Sequence, residues 1–555
     1  MSKARDLADS VAAGGVLADG VVSLSEVGGG TSNGVVFVNG SGTTTSGSAL
    51  TFNGSTLDVT GTVTADGLTV GGSSVITGTI TSGANGGLIK EIGGDTSIVQ
   101  GAIGIRVNDS ASAISPTTAS TNNDAAVDLG VANIRFKDLY LSGAANINGI
   151  TVGRGAGAVA SNTAVGASAL AATATNGSNT GVGYFALTAL TSGGDNTSVG
   201  RSSLSSNTTG SSNVGLGVQS LNSNTTASNN TAVGYQAAHK NTTGTGNSAF
   251  GGEALNDCTT GNYNVAVGYQ SQRLTTTAND NTGLGAYTLY DNITGAANTA
   301  VGMSALANNT SASFNTALGV SALQNNTTAS NNTAVGYQAG YSNTTGAQNV
   351  MMGYRAGYNS TTSAYNVIIG ALDANGVIAG NSISTGTANT VVGSGAMGNG
   401  AAGAQSNNTA IGYHTLWLNT GNLNVAVGSD ACLSNSSGGS NTALGTSALR
   451  NNTTASNNTA VGYQAGYSTT TGGFNTVIGQ SSGYSLTTGV NNAFTGQGAG
   501  YYVTTGNNNT VIGGYNGNQG GLDIRTASNN IVLSDGAGNP RLKMSSTGQL
   551  SSLIV

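Results

Sequence analysis

The stretch NTTASNNTAVGYQA occurs three times, at 224–237, 326–339 and 452–465, and holds no Asp, Glu, Lys, Arg, His or Cys. A segment repeated to the letter with so little reactive chemistry reads as a structural rung. Its core, N-x-x-h-G with h apolar, recurs along most of the chain. The glycines run from Gly166 to Gly370 in steps of 17 residues. The register then slips, with Gly393 23 residues on, Gly412 19 and Gly428 16, and locks again at 17 through Gly513. That makes 21 copies, with a degenerate one at NNIVLS, 529–534.

Seventeen residues are too few for a helix-pair repeat and suit one coil of a β-solenoid. TAVG, TALG and TVIG supply the strand, with β-branched residues in place. NTTG, TTAS and NNTT supply the turns. The Asn opening each unit is expected in a turn, bonding backbone or the Asn one coil away. Two forms of the second half occur. One has Leu four residues after the glycine, as at Leu170 and Leu187; the other has Gly there and Tyr next, as at Tyr341 and Tyr467. One internal space filled by either Leu or Tyr is the expectation. The residue before each glycine (Val165, Val182, Val199) is expected to fill the other half.

The predicted fold is therefore all-β, a parallel β-solenoid or β-roll of about 21 coils with a 17-residue period, preceded by a small β-rich N-terminal region. Ordering a backbone residue costs roughly 1–2 kcal/mol. Two or three buried apolar side chains per coil return about 1.5–3 kcal/mol each. Lone coils are unstable, so stacking is obligatory. A homo-oligomer, a trimer in particular, is expected to bury a second face, with the small Ala164, Ala232 and Ala334 allowing close approach.

Composition agrees with a neutral shaft. Only 6% of the 555 residues are charged, with 90 Gly, 2 Pro and a net charge of −6. No basic footprint for nucleic acid exists. No apolar run approaches the roughly 20 residues of a membrane helix, and the opening MSKARDLADSVAAGG lacks a signal core. Cys258 and Cys432 sit in no metal or redox spacing and read as small, unreactive thiols.

The flanks divide as follows. Residues 1–27 form an attachment segment with a short helix, 28–124 a β-rich shaft of short antiparallel or intertwined strands, and 125–153 a collar. The rod spans 154–520, and 521–555 a hairpin and cap that protects the last coil's edge.

Units such as NTAVGYQAG and NTALGVSAL resemble the head repeats of trimeric autotransporter adhesins, which are trimeric β-rolls that bind host surfaces. SKARDLADS, GTVTADGLTVGGSSVITG, RFKDLYLSG and NNIVLSDGAGNPRLKM resemble phage tail fibres and related virion appendages. The resemblance implies a non-enzymatic virion fibre that attaches to a host cell surface glycan or protein. It implies an N-terminus on the tail or capsid proteins and a location on the virion. A decoration or spacer fibre and a bacterial-type surface adhesin are the alternatives. No signal peptide or membrane barrel supports the adhesin, and the chain does not contain the chaperone domain that ends many phage fibres.

Chemistry is sparse. Asp257 and Asp291 lie two periods apart and share a column about 9.6 Å long, within reach of an inverting glycosidase, but both sit in turns. His239 and His414 read as surface residues with no acid near them. No cofactor or metal is expected. Seven coils carry Tyr after the glycine: Tyr184, Tyr235, Tyr269, Tyr337, Tyr354, Tyr413 and Tyr463. Exposed, this column stacks sugars; between chains, it is an interface, which Tyr serves well. Tyr337 and Tyr354 are expected to stack. The register break at 371–411 must bulge, and His414 and Trp417 beside it make it a candidate recognition loop. Threonines in the turns vary from coil to coil, against an ice-binding face.

Overall fold

The structure is a computed structural model describing residues 150–544 and 547–553, with the backbone of short strands between Leu50 and Ile147. The expected helix in 1–27 and most of the expected collar lie outside the described residues. The chain forms two units, 1–139 and 140–555.

In the first unit β1 (Leu50–Phe52) pairs antiparallel with β2 (Leu57–Val59). β3 (Thr79–Ser82), β4 (Gly87–Ile92), β5 (Asp95–Gln100), β6 (Ile103–Asn108) and β7 (Ala113–Thr118) form an antiparallel meander.

The second unit is a parallel β-solenoid. Its 21 coil strands run from β10 (Thr163–Val165) to β30 (Thr510–Ile512), three residues each, one per coil. Each pairs in parallel with the next, displaced by one repeat, as Thr163 with Thr180. The rungs continue around the rest of the coil. Leu170 N–H donates to Ala186 C=O at 3.0 Å, and Thr191 N–H to Thr208 C=O at 2.9 Å. Both ends of the ladder are closed by hairpins. β8 (Ala145–Ile147) and β9 (Ile150–Gly153) pair antiparallel, and β9 lies antiparallel on β10. At the other end Ile531–Ser534 adds a parallel rung to β30 and turns into antiparallel Pro540–Met544 and Leu550–Leu553.

Positions within a coil are counted from the opening Asn as 1, with the glycine at 5. Every opening Asn from Asn162 to Asn530 is buried. At every step its Oδ1 accepts the next Asn's backbone N–H at 2.9–3.1 Å. Its Nδ2 ties down the end of its own coil, as Asn196 does by donating to Gly210 C=O at 2.9 Å. A second buried Asn column stands at position 12, where Asn224 Nδ2 donates to Asn207 Oδ1 at 2.9 Å and Asn326 Nδ2 to Asn309 Oδ1 at 3.0 Å. These ladders satisfy polar groups that would each cost about 1–3 kcal/mol if buried unpaired.

The glycine period has a steric cause. Gly336 has φ +135°, and a Cβ there would stand 2.4 Å from Gly353 O in the next coil. Both conformation and space exclude a side chain.

Two packing expectations are corrected. The residue before each glycine points outward: Val165 and Val182 are half-buried and Leu216, Leu284 and Leu318 exposed, while position 3 (Ala164, Ala232, Ala334) lies inside. Strand alternation with the small residue inward leaves room for Leu from position 9, which is fully buried at Leu187, Leu204 and Leu306. Those alanines therefore mediate no approach between chains. The Gly form of position 9 is not filled by the following Tyr either. Tyr341, Tyr358, Tyr467, Tyr484 and Tyr501 are half-exposed, and successive rings stack at 4.9–5.1 Å. The space goes to larger position-3 residues: Met351 over Gly340 and Gly357, Val477 beside Gly483, and Phe494 against Gly500.

Where the position-12 ladder is interrupted, a partner is lost. Cys258 follows Asn241, whose Oδ1 has no donor, and the next rung, Thr275, has an unpartnered Oγ1. Cys258→Asn places an amide between them. Urea unfolding is expected to show a gain of about 1 kcal/mol; an unchanged or lowered midpoint would mean the gap is already satisfied.

Candidate functional site

Positions 2, 4 and 6 face outward on one side of the coil. The seven position-6 tyrosines, Tyr184, Tyr235, Tyr269, Tyr337, Tyr354, Tyr413 and Tyr463, are 42–53% exposed. Tyr337 and Tyr354 stack at 5.2 Å with 20° between planes, as expected. Beside them runs position 4, with Leu216, Phe250, Leu284, Leu318, Ile411 and Ile478 exposed. Position 2 is mostly Thr, with exposed Val214, Val265 and Val425. An apolar band thus follows the strand ladder. Threonine does form a regular column, on the strand and not only in the turns, but an apolar column stands beside it.

The register break folds into a latched bulge. In ALDANGVIAGNSISTG, Ile378, Ala379 and Ile383 return to the core. Asp373 starts the bulge; its Oδ1 accepts N–H from Asn375 and Val377, both at 2.8 Å. His414 Nε2 reaches Asp373 Oδ2 at 2.7 Å, from two coils further on. His414 Nδ1 lies 4.0 Å from Asp430 Oδ1, and the other oxygen of that carboxylate, Oδ2, lies 3.8 Å from Arg450 Nε. The imidazole touches two aromatics, Tyr413 at 3.8 Å and Trp417 at 4.0 Å between centroids. Gly395, in the coil between, makes this reach possible: a Cβ there would lie 2.7 Å from both His414 Cδ2 and Trp417 Cζ3.

The reading of His414 as a surface residue without an acid is therefore corrected. Its side chain is 14% exposed, and that of Asp373 is fully buried. The 41-residue separation hid Asp373, which the inserted bulge carries out of phase; Asp430, at the same position one coil further on, was legible in the spacing and was missed. Burial alone would raise the Asp373 carboxyl. The N–H of Val377, His414 and the N–H of Asn375 outweigh it and hold the group below the usual carboxylate range.

What the arrangement does chemically is hold shape. Among the described residues, the His414 ring meets the carboxylates of Asp373 and Asp430, and no hydroxyl or thiol hydrogen-bonds to it. Asp257 is paired with Lys240 at 2.9 Å; Asp291, in the same column with Leu274 between them, is raised by burial. His239 Nδ1 lies 3.2 Å from Gln219 C=O. Burial pushes the Cys258 and Cys432 thiols up to about 11 and about 12, away from reactivity. Among the described residues, no three His, Cys, Asp or Glu gather to hold a metal, and no helix is long and apolar enough to cross a membrane. No family model, no curated protein and no solved structure matches the chain.

The latch is pH-dependent with a defined sign. The Asp373 carboxyl is depressed in the fold, so its contribution is full above the ordinary carboxyl value and is lost as pH falls through the lower folded value. Hydrogen exchange of residues 372–377, corrected for intrinsic rates, is expected to quicken there, and in His414→Ala at neutral pH. Unchanged exchange in both would show that the bulge holds without the pair.

Proposed function

We propose that the chain is a non-enzymatic structural fibre of a phage virion that attaches to a host cell surface, acting as a homotrimer. The observation that carries this reading is the apolar band along a stack of coils that contains no assembled catalytic group. At about 4.8 Å per parallel rung the ladder extends roughly 100 Å. A hydrophobic strip of that length, far beyond a few hundred Å², marks an interface. The coil interior already contains its own small residues and Asn ladders, so the strip is free to join copies. The resemblance of the flanks to virion appendages supports a particle-bound N-terminus and a rod presented to the cell. Recognition would fall to the bulge latched by Asp373 and His414, a shaped projection on a rigid scaffold.

A decoration or spacer fibre is the second reading. It is favoured by the tyrosines sharing the band's face, where assembly removes them from solvent and from glycans.

Sedimentation equilibrium of the full chain is expected to give three times 53.9 kDa; a stable monomer at micromolar concentration overturns the oligomer. Purified fibre is expected to block phage adsorption to sensitive cells, and loss of blocking on deleting 372–377 would assign recognition to the bulge. Folded trimer that never blocks favours the spacer.

A further inference from the structure

Charge on the coils is confined to one region. From His239 to Arg450, every Asp, Glu, Lys, Arg and His stands at position 7, 10 or 11, except Asp280 and the inserted Asp373. These positions lie beyond the glycine, off the strand that carries the apolar band. Charged groups are costly to bury, so an assembly through the band leaves this side in water.

The cations on it are paired, with one exception. Lys240 meets Asp257 and Arg273 meets Glu253, both at 2.9 Å, and Arg450 Nε lies 3.8 Å from Asp430 Oδ2. Arg355 is the only Lys or Arg between Arg273 and Arg450. Among the described residues its side chain meets no carboxylate and no hydrogen-bond acceptor, and its Nε is buried without a partner. The guanidinium carbon lies 4.0 Å from the Tyr358 ring centroid, and Tyr341 stacks on Tyr358 at 5.1 Å with 4° between planes. The ring attracts the cation but offers its N–H groups no acceptor. The one acid in the coils to either side is Asp373, and it is fully buried. Its oxygens are committed to the N–H of Asn375 and Val377 and to His414. The latch that shapes the bulge therefore leaves Arg355 without a counter-charge.

The neighbours of Arg355 suit a polar ligand. Gln338, at the same position one coil earlier, is half-buried, and its amide has no partner among the described residues. Leu372, at the same position one coil later, is exposed and opens the bulge, whose Ala374, Asn375 and Gly376 are exposed too. Gln338, Arg355 and the start of the bulge thus form three consecutive rungs about 4.8 Å apart.

We propose that Arg355 anchors an anionic group of a host-surface glycan, either the carboxylate of an acidic sugar or a phosphate in the glycan chain. Both present paired oxygens to a guanidinium fork. Tyr341 and Tyr358 cover one another's faces, so their part is to hold the fork in place, not to receive a sugar ring. The amides of Gln338 and Asn375 supply donors and acceptors for sugar hydroxyls on either side of the charge, and the bulge limits how far the ligand runs along the rod. The inference rests on the attachment reading and names what the attached surface presents.

Binding of the full chain to three immobilised probes tests it: hyaluronan oligosaccharides, which carry carboxylates, polyglycerol phosphate, and neutral chitin oligosaccharides. The native chain is expected to bind one of the two anionic probes and not the neutral one, and the probe bound assigns the source of the charge. Arg355→Gln is expected to weaken that binding at least 10-fold. Gln is native to this position at Gln219, Gln236 and Gln338, so the coil is expected to fold, as circular dichroism checks. Arg355→Lys keeps the charge without the fork and is expected to weaken binding about 5-fold or more. Arg201→Gln makes the same change in net charge at an exposed position 6 and is expected to bind as the native chain does. Equal losses in Arg355→Gln and Arg201→Gln would mean diffuse charge attraction and overturn the inference, as would native binding to neither anionic probe or equally to the neutral one. If the native chain nevertheless blocks phage adsorption, the attachment reading stands and only the Arg355 site falls. A chain that binds no probe and blocks no adsorption overturns both.

Discussion

The structure depends on one hydrogen bond made at every step: the side-chain oxygen of a buried Asn accepting the backbone N–H of the Asn in the next coil. From Asn162 to Asn530 it is unbroken, through the coils of irregular length as well. A solenoid this thin has little hydrophobic area per coil, so a polar group wasted inside it would be hard to offset. Asn is suited to the corner because it carries an acceptor for the neighbouring coil and donors for its own. Gly336 and its equivalents then let adjacent coils approach closely enough for those bonds to form.

Core filling follows from that close approach. With Ala or Gly inward from the strand, Leu from position 9 fills the coil. Where position 9 is Gly, Met351, Val477 or Phe494 enters from the strand side. The interior volume is conserved while its source changes sides, as close packing requires. Side chains that do not fit inside, the tyrosines after those glycines, stack on the outside at the coil spacing.

Much of this was legible in the residues. The 17-residue period, parallel in-register stacking, the Asn ladder, the Tyr337–Tyr354 stack and the bulge at the long coil all follow from spacing. Direction was harder. With only three residues per strand, T-A-V reads equally well with Val or Ala inward, and the choice is made by Leu170 and its equivalents across the coil. The His414–Asp373 pair was beyond periodic reasoning, because the inserted residues carry the acid out of phase and Gly395 opens its path. Arg355 left a trace as the only Lys or Arg between Arg273 and Arg450, but its lack of a partner becomes visible only once the coils are stacked.

The most direct test of the account is a high-resolution electron cryo-microscopy map of the purified chain. Stacked rungs about 4.8 Å apart, continuous over the 150–534 region and unbroken across the bulge, are predicted. Globular lobes, helices, or coils that lose their spacing at 371–411 would contradict it.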